Sequence, residues 1–282
     1  MSFEQNREFY FTTQDFQRIC KLIYQHAGIS LGESKQESVY SHLARRLRAT
    51  GIKTIAECLD YLQRRDEAEW EAFTNSLTTN LTPFFREAHH FSMLAAHLLK
   101  LGTARQIELW CSACSTGEEV YSIAMTAVEA FVSFVNPVRT IASDLDTNVS
   151  EVARISHYKL DSVAKMPAQQ IDKFFVRSSG EDAGFAKVCT ELQKMIIFQR
   201  INLLDVIWPI PEKLDAIYCR NVIIYFDKVM QLVILKKLAP LLLGDGLLFA
   251  GHSEHFHNAD AYFRLHTHTV YEFAAKLKAE RA

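Results

Sequence analysis

The stretch from Glu108 to Met125, ELWCSACSTGEEVYSIAM, decides the fold because its character changes twice within a few residues. It begins as an apolar run, passes through a loop of small residues over 112–117, and continues with apolar residues at helical spacing. This pattern predicts a strand, a tight loop and a helix. In an open α/β sheet such a loop lies at the carboxyl end of a strand, where free N–H groups of the next helix bind ligands. We therefore expect it to form the floor of a binding site.

The chemistry of this loop narrows the choice of ligand. A dinucleotide fingerprint needs the glycines of G-x-G-x-x-G so that the backbone can approach a pyrophosphate, and here only Gly117 is present. Glu118 and Glu119 follow it, and their carboxylates would repel a phosphate but could hold an ammonium or a sulfonium group. Acidic residues also favour helix N-termini for dipole reasons alone, so this pair leaves both interpretations open.

Composition excludes several classes of protein. At 282 residues the chain is long for one domain and suits two. A net charge of −2 argues against extensive nucleic-acid binding. No apolar run approaches the ~20 residues of a membrane span, and the N-terminus lacks a signal-peptide core. We therefore expect a cytoplasmic protein without direct membrane insertion.

The cysteines and histidines indicate neither a disulfide framework nor a metal site. The six cysteines are scattered, and the C-x-x-C pair of Cys111 and Cys114 lacks the second pair or nearby histidine of a zinc site. A thioredoxin-like redox pair is the alternative to reduced, space-filling thiols, which we favour. The histidines between 252 and 268 match no usual ligand spacing, so we predict no bound metal.

Residues 1–76 are predicted to form a helical domain. An N-cap near Thr12 precedes an apolar stripe that ends near Gly28, and a second helix follows Ser34, with shorter helices up to residue 74. The second helix carries Arg45, Arg46 and Arg48. This basic cluster is interpreted either as a solvated face or as a docking surface for an acidic partner.

A dense segment, predicted as a linker over 77–92, joins this domain to the rest of the chain. Pro83 breaks regular structure there, and the neighbouring phenylalanines are predicted to anchor the segment. The polar residues between the anchors are Asn80, Thr82 and Arg86. A guanidinium binds a carboxylate at two points, so Arg86 is a candidate ligand-binding residue, with a salt bridge between domains as the alternative.

Residues 93–282 are predicted to form an α/β domain, since strands and helices alternate from Gln106 onward. A second strand over Arg139–Ser143 leads into Asp144, and an acid in that position holds the ribose hydroxyls of a nucleotide-type ligand. Asp146 is interpreted as a helix cap instead. A further buried strand over Leu214–Cys219 precedes a helix that is expected to end at Gly244-Asp245-Gly246.

The alternation is interrupted at about 158–200. Short strands over Phe174–Arg177, Phe185–Cys189 and Met195–Arg200 are predicted to pair antiparallel as a small β insertion. Such an insertion exposes a strand edge that could accept a peptide by strand addition. The chain is then expected to close with a hairpin formed by Tyr262–Leu265 and Thr269–Phe273.

Five segments, in this order and spacing, resemble the S-adenosylmethionine-dependent chemotaxis receptor methyltransferases, the CheR family. They are NLTPFFREAHHF, WCSACSTGEEVYSIAM, ASDLDT, CRNVIIYFD and LLFAGHSE. The resemblance covers nearly the whole chain. It implies a Rossmann-like methyltransferase sheet with a small antiparallel β insertion, preceded by an all-α domain. It also implies methyl transfer from S-adenosylmethionine to glutamate side chains of bacterial chemoreceptors, which yields glutamyl methyl esters and S-adenosylhomocysteine.

The resemblance also implies roles for individual residues. The cofactor would be bound by Asn80, Thr82, Arg86, Glu119, Asp144, Asn202, Leu203, Arg220 and Asn221. Among these, Glu119 would lie near the methionyl portion, Asp144 would hold the ribose, and Asn202 with Leu203 would flank the adenine. Arg86 and Tyr225 are the catalytic candidates, fixing either the acceptor carboxylate or the cofactor's own carboxylate.

The resemblance further implies two contacts with the receptor. The N-terminal domain would face the cytoplasmic methylation helices, so the basic cluster on the second helix would steer docking. The β insertion of this family can bind a short peptide at the receptor's C-terminus, which raises the local enzyme concentration.

Three alternatives stay open from the residues. One is a methyltransferase of this fold with another acceptor, against which the NLTPFFRE segment and the helical domain argue. Another is a non-enzymatic protein that binds S-adenosylmethionine or S-adenosylhomocysteine as a docking module or sensor. The last is a plain nucleotide-binding or redox domain, which would need a glycine fingerprint or a supported C-x-x-C.

Overall fold

The computed structural model describes residues 7–63, 70, 73–74, 82–211, 213–256 and 260–274. The chain forms two compact units. One comprises Met1–Thr79 with Tyr225–Met230, and the other comprises Asn80–Ile224 with Gln231–Ala282. Among the described residues, no helix has the length and apolar character needed to cross a membrane.

The first unit is helical, with α1 over Thr13–Ala27, α2 over Gln36–Thr50 and α3 over Ile55–Gln63. Helix α1 begins as predicted, because Thr12 and Asp15 form a capping box. The Thr12 hydroxyl accepts from the Asp15 amide at 3.0 Å, and the Asp15 carboxylate accepts from the Thr12 amide at 2.9 Å. The helix ends at Gly28 in a left-handed conformation. Most of the further helix predicted before residue 74 lies outside the described residues.

The second unit alternates helices and strands. In chain order they are α4 (His89–Leu101), β1 (Ile107–Cys111), α5 (Glu118–Phe131), β2 (Val138–Asp144), α6 (Thr147–Ile155), β3 (His157–Lys159), α7 (Leu160–Val163), α8 (Ala168–Phe174), β4 (Phe175–Arg177), β5 (Phe185–Val188), α9 (Thr190–Gln193), β6 (Ile196–Arg200), β7 (Leu214–Cys219), α10 (Lys228–Leu238), β8 (Leu242–Ala250), β9 (Phe263–Thr267) and β10 (Val270–Phe273). The strand, loop and helix predicted around residue 112 are β1 and α5.

The main sheet has seven strands in the order β6-β2-β1-β7-β8-β10-β9. Strands β6, β2, β1, β7 and β8 run parallel, and β10 and β9 add an antiparallel hairpin at one edge, as predicted. The chain moves from β1 outward through β2 and β6, then returns to the other side of β1 as β7. Ligands of open α/β sheets bind outside the carboxyl ends of strands at such a reversal. The fold therefore places the candidate site beyond β1, β2 and β7.

The small antiparallel sheet has the order β3-β5-β4. Its first strand, His157–Lys159, was not predicted because three residues are too few to show a period. The antiparallel pairing predicted for Met195–Arg200 is wrong. That stretch forms β6, which pairs parallel with β2 at the edge of the main sheet, Thr140 opposite Ile196. An alternating pattern predicts a half-buried strand but not the direction of its partner.

The predicted end of the helix after residue 228 is also wrong. Helix α10 ends at Leu238, and Pro240 lies in the short 3₁₀ turn that follows. Gly244 and Gly246 lie inside β8, where the register against β7 shifts. A Cβ on Gly246 would lie 2.9 Å from the Leu214 carbonyl oxygen, so glycine here allows close approach of two strands.

Candidate functional site

The loop between β1 and α5 is shaped by Gly117. Its φ of 100° is unfavourable for residues with a side chain, and a Cβ there would lie 2.5 Å from the Tyr158 Oη and 2.8 Å from the Ala153 Cβ. The Tyr158 hydroxyl donates to the Thr116 carbonyl at 2.7 Å. Tyr158 lies on β3, so the small sheet supports the loop through this hydrogen bond. Sequence reasoning missed this role because it did not recognise β3.

Asp144 ties the end of β2 to the same loop. Its Oδ2 accepts from the Ser115 amide at 2.8 Å, and its Oδ1 accepts from the Asp146 amide at 3.0 Å. Burial raises the pKa of Asp144 to about 6, against the opposing effect of these backbone donors. Asp146 caps α6 as predicted, with its carboxylate accepting from the Asn148 and Val149 amides.

A buried ion network lies behind the loop. Arg220, directly after β7, donates from Nη1 to Glu119 Oε2 at 2.7 Å, and its Nη2 lies 3.3 Å from Glu87 Oε2. The Arg220 side chain is fully buried, and that of Glu119 is 8% exposed. Burial raises the pKa of Glu119, and Arg220 opposes this shift. The second oxygen of Glu119 accepts from the Cys111 thiol at 3.3 Å. The structure thus brings the predicted residues Glu119 and Arg220 together.

Arg86 belongs to the tight turn that precedes α4. Phe84 anchors this turn, since its ring packs edge-on against Tyr158 and Phe175 with centroids 5.0 and 5.5 Å apart. The backbone carbonyl of Arg86 accepts from Arg220 Nη2 at 2.5 Å. In the part of the chain that the structure describes, no residue forms a hydrogen bond or ion pair with the Arg86 guanidinium. This half-buried cation is therefore available to a ligand.

Glu254 is a buried residue of the site that sequence reasoning missed. Its carboxylate accepts from the amides of Gly251 at 2.6 Å, Asn221 at 2.9 Å and Ile224 at 3.3 Å, and so holds the loop after β7. Asn221 takes a left-handed conformation there, with φ of 57°. A Cβ on Gly251 would lie 2.9 Å from the Asn221 amide nitrogen. The acid three residues after a glycine in LLFAGHSE was the available signal.

Asn202 and Leu203 follow β6, at the same end of the sheet as Asp144. Leu203 is buried, and Asn202 Oδ1 accepts from the Leu204 amide at 3.0 Å. The Asn202 carbonyl accepts from Trp208 Nε1 at 3.1 Å, and the Trp208 ring lies against Trp110 with centroids 5.2 Å apart. These contacts build an apolar wall beside the strand ends.

The other predicted site residues are spread over both units. Thr82 is half-buried in the second unit, and Asn80 lies outside the described residues. Tyr225 ends a short 3₁₀ turn and belongs to the first unit, where its carbonyl accepts from the Ser30 amide at 2.7 Å.

The three arginines of α2 are partly paired. Arg48 donates two hydrogen bonds to Glu8, from Nε at 2.9 Å and Nη2 at 2.6 Å. Arg45 contacts His42 Nδ1 at 2.7 Å. Arg45 and Arg48 are exposed, and Arg46 is half-buried. Because exposed ion pairs are weak, the Glu8 contact does not prevent Arg48 from attracting an acidic partner.

The cysteines are free, and a group of possible metal ligands lies near the site. Burial raises the pKa of Cys111 and of Cys114 well above the usual range, which disfavours reactive thiolates. Among the described residues, Glu87, His89 and His90 offer ligand atoms within 4.8 Å of one another. Arg220 is already paired with Glu87 and would oppose a cation. The absence of a bound metal stays a prediction.

Comparison with known proteins identifies the family. The family model described as "CheR methyltransferase, SAM binding domain" matches residues 80–272, and "CheR methyltransferase, all-alpha domain" matches residues 14–78. Chemotaxis protein methyltransferase 2 of Pseudomonas aeruginosa is 48% identical over 267 residues, which cover 94% of this chain and 95% of that protein. The chemotaxis protein methyltransferase of Salmonella typhimurium is 47% identical, with 91% and 88% covered, and that of Escherichia coli is 45% identical, with 91% and 89% covered. The chain therefore belongs to the CheR methyltransferase family, and its cofactor is S-adenosylmethionine.

Proposed function

We propose that this protein methylates glutamate side chains of bacterial chemoreceptors, with S-adenosylmethionine as methyl donor. The observation that carries the proposal is Arg86, whose guanidinium forms no hydrogen bond or ion pair with the described side chains and lies near the buried pair of Glu119 and Arg220. The relatives' names, chemotaxis protein methyltransferases, support the receptor as acceptor.

The residues beyond the strand ends fit this cofactor. A carboxylate has about four acceptor positions, so Asp144 keeps capacity for a ribose hydroxyl beside its bonds to the backbone amides. Leu203 supplies an apolar surface for adenine and Asn202 flanks it, and Glu119 supplies a negative charge for the methionyl portion. Thr82 and Arg86 are proposed to contact the cofactor from the turn before α4, and Arg220 with Asn221 from the loop after β7. Asn80 stays a cofactor-binding residue of the proposal by resemblance alone. When bound, S-adenosylmethionine supplies an electrophilic methyl group on a sulfonium.

The chain's own chemical work is mainly positioning. A glutamate carboxylate is ionised at pH 7 and needs no general base to act as nucleophile. A guanidinium fork fixes a carboxylate at two points, which assigns Arg86 to the acceptor or to the cofactor's carboxylate, with Tyr225 as the second catalytic candidate. Orientation and exclusion of water from the reacting charges then lower the barrier.

In this proposal the protein is cytoplasmic and binds the receptor through two surfaces. Residues 1–76 form the docking domain, and Arg45, Arg46 and Arg48 attract the acidic methylation helices. Residues 77–92 act as the linker that contributes Arg86, and residues 93–282 carry out transfer. In the small sheet, β4 is an edge strand with an exposed Val176, which suits a receptor C-terminal peptide added as a strand.

Methyl transfer from labelled cofactor to a receptor's cytoplasmic fragment tests the proposal. Arg86→Ala is expected to lower turnover about 100-fold, the effect of removing one charge-stabilising donor. The matched control is Arg264→Ala, an exposed arginine on β9 at the far edge of the sheet, which should leave turnover unchanged. Mild alkali should release the label as methanol, as expected of an ester.

Three results would contradict the proposal. Unchanged turnover in Arg86→Ala would remove the role of that residue, and alkali-stable label would remove the glutamate acceptor. Binding of S-adenosylhomocysteine by a folded protein that transfers no methyl group to any receptor fragment would favour the sensor alternative.

A further inference from the structure

The turn that carries Arg86 has an unfavourable backbone conformation on both sides of that residue. Phe85 has φ of 53° and Glu87 has φ of 58°. Residues with a Cβ rarely take positive φ, and a bulky side chain such as that of Phe85 makes it still less favourable. Such conformations persist only where surrounding contacts hold them, and they collect at functional sites.

Ser122 of α5 holds the first side of the turn. Its hydroxyl oxygen accepts from the Phe85 amide at 3.0 Å and donates its proton to the Glu118 carbonyl at 2.6 Å. Ser122 is fully buried, so loss of this acceptor would leave the Phe85 amide without its partner. The serine lies 37 residues from Phe85 in sequence, and although it belongs to the segment WCSACSTGEEVYSIAM, the proposed function gives it no role.

Glu87 holds the second side through its own side chain. Its Oε1 accepts from the His252 amide at 3.1 Å, and its Oε2 pairs with Arg220 at 3.3 Å. The same Arg220 Nη2 donates to the Arg86 carbonyl at 2.5 Å. Glu87 and Arg220 thus bracket the Arg86 peptide from two directions, and the Glu87 side chain is only 14% exposed.

We propose that Glu87 and Ser122 are positioning residues that hold the Arg86 backbone in one conformation for methyl transfer. This inference rests on the proposed function, in which the Arg86 guanidinium binds a carboxylate. Neither residue touches the reactants in this scheme. Both act by keeping Arg86 preorganised, since a displacement of about 1 Å in a positioned group can cost 100-fold in rate.

A double-mutant cycle on methyl transfer separates positioning from general stabilisation. Glu87→Gln keeps the size of the side chain and removes its charge, and it is expected to lower kcat about 10-fold with wild-type chain as reference. In an Arg86→Ala background the same substitution should change kcat less than about 2-fold, because the residue it positions is gone. Ser122→Ala is expected to show the same dependence on Arg86. Glu129→Gln, which removes an exposed carboxylate of α5 that bonds Gln170, is the matched control and should leave kcat unchanged.

The outcomes distinguish this inference from the function on which it rests. A 10-fold loss of kcat that persists in the Arg86→Ala background overturns the positioning role. Unchanged kcat in both Glu87→Gln and Ser122→Ala does so too, and both results leave the methyltransferase proposal intact. Full activity of Arg86→Ala instead overturns the assigned role of Arg86. Thermal unfolding and S-adenosylhomocysteine affinity are measured for each variant. If Glu87→Gln does not fold, the double-mutant cycle is carried out with Ser122→Ala and Arg86→Ala.

Discussion

Asp144 should make cofactor binding depend on pH in a range where most carboxylates do not titrate. Burial raises the pKa of this carboxyl to about 6. Ribose hydroxyls donate to the ionised form, so the binding-competent fraction falls as pH falls through that value. With a pKa of about 6, roughly ten in eleven Asp144 side chains are ionised at pH 7 and roughly one in eleven at pH 5. The Kd for S-adenosylhomocysteine should therefore rise about tenfold from pH 7 to pH 5.

Calorimetric titration at several pH values, with wild type beside Asp144→Asn, measures this effect. The variant keeps the shape of the side chain but cannot ionise, so we expect weak binding at pH 7 and no further weakening at pH 5. The comparison is needed because burial also raises the pKa of Glu118, Glu119 and Glu254. A pH dependence that survives unchanged in the variant, or a flat profile for the wild type, would refute the assignment of Asp144 to the ribose.

Three further predictions follow from other contacts. Gly117→Ala should lower the free energy of unfolding by about 3 kcal/mol and abolish S-adenosylhomocysteine binding, because the new Cβ would clash with Tyr158 and Ala153 at a positive φ. Chemical denaturation measures the first effect and calorimetry the second, and normal binding would contradict the reasoning. Arg105→Ala should lower the free energy of unfolding by roughly 2 kcal/mol and leave cofactor affinity unchanged, because it removes the bidentate partner of the buried Asp215. The Arg105 side chain is itself about half exposed, which keeps the effect moderate. Reversing the charges of Arg45 and Arg48 should slow receptor methylation most at low salt and leave S-adenosylhomocysteine affinity unchanged, whereas an unaltered rate would remove their steering role.

The parts of the fold that sequence could predict are those specified by neighbouring residues. The capping box of Thr12 and Asp15 lies within four residues, and the cap formed by Asp146 acts on amides two and three residues ahead. The strand before residue 112 is visible as an apolar run, and the helix after it as apolar residues at helical spacing. The prediction that the helix ends at Gly244 is wrong because the helix already ends before Pro240. In sequence, a glycine that permits close approach of two strands also looks the same as one that ends a helix.

The contacts that sequence could not predict join distant parts of the chain. Glu119 meets Arg220 across 101 residues, and Glu87 meets the His252 amide across 165. Family resemblance named Glu119 and Arg220 but could not show that they pair with each other. The local sequence pattern gave no indication of the role of Glu87, because an acid beside an arginine is common in any exposed segment. The low exposure of the Glu87 side chain follows only from the packing of the turn before α4 near the end of β7.

The charges of the site explain why the Arg86 guanidinium forms no hydrogen bond or ion pair with the side chains that the structure describes. Glu87 and Glu119 face a single buried guanidinium, that of Arg220, so this group carries one excess negative charge. Burial raises the pKa of Glu119, and Arg86 lies close enough to oppose that rise, so its positive charge balances the excess. Methyl transfer converts a sulfonium and a carboxylate into two neutral groups, so a neutral, partly desolvated surrounding favours the products over the separated charges. Removing Arg86 would restore the excess negative charge where a carboxylate must approach. On this argument the cost of Arg86→Ala comes from repulsion as well as from lost hydrogen bonds, and Arg86→Lys should recover the first part but not the second.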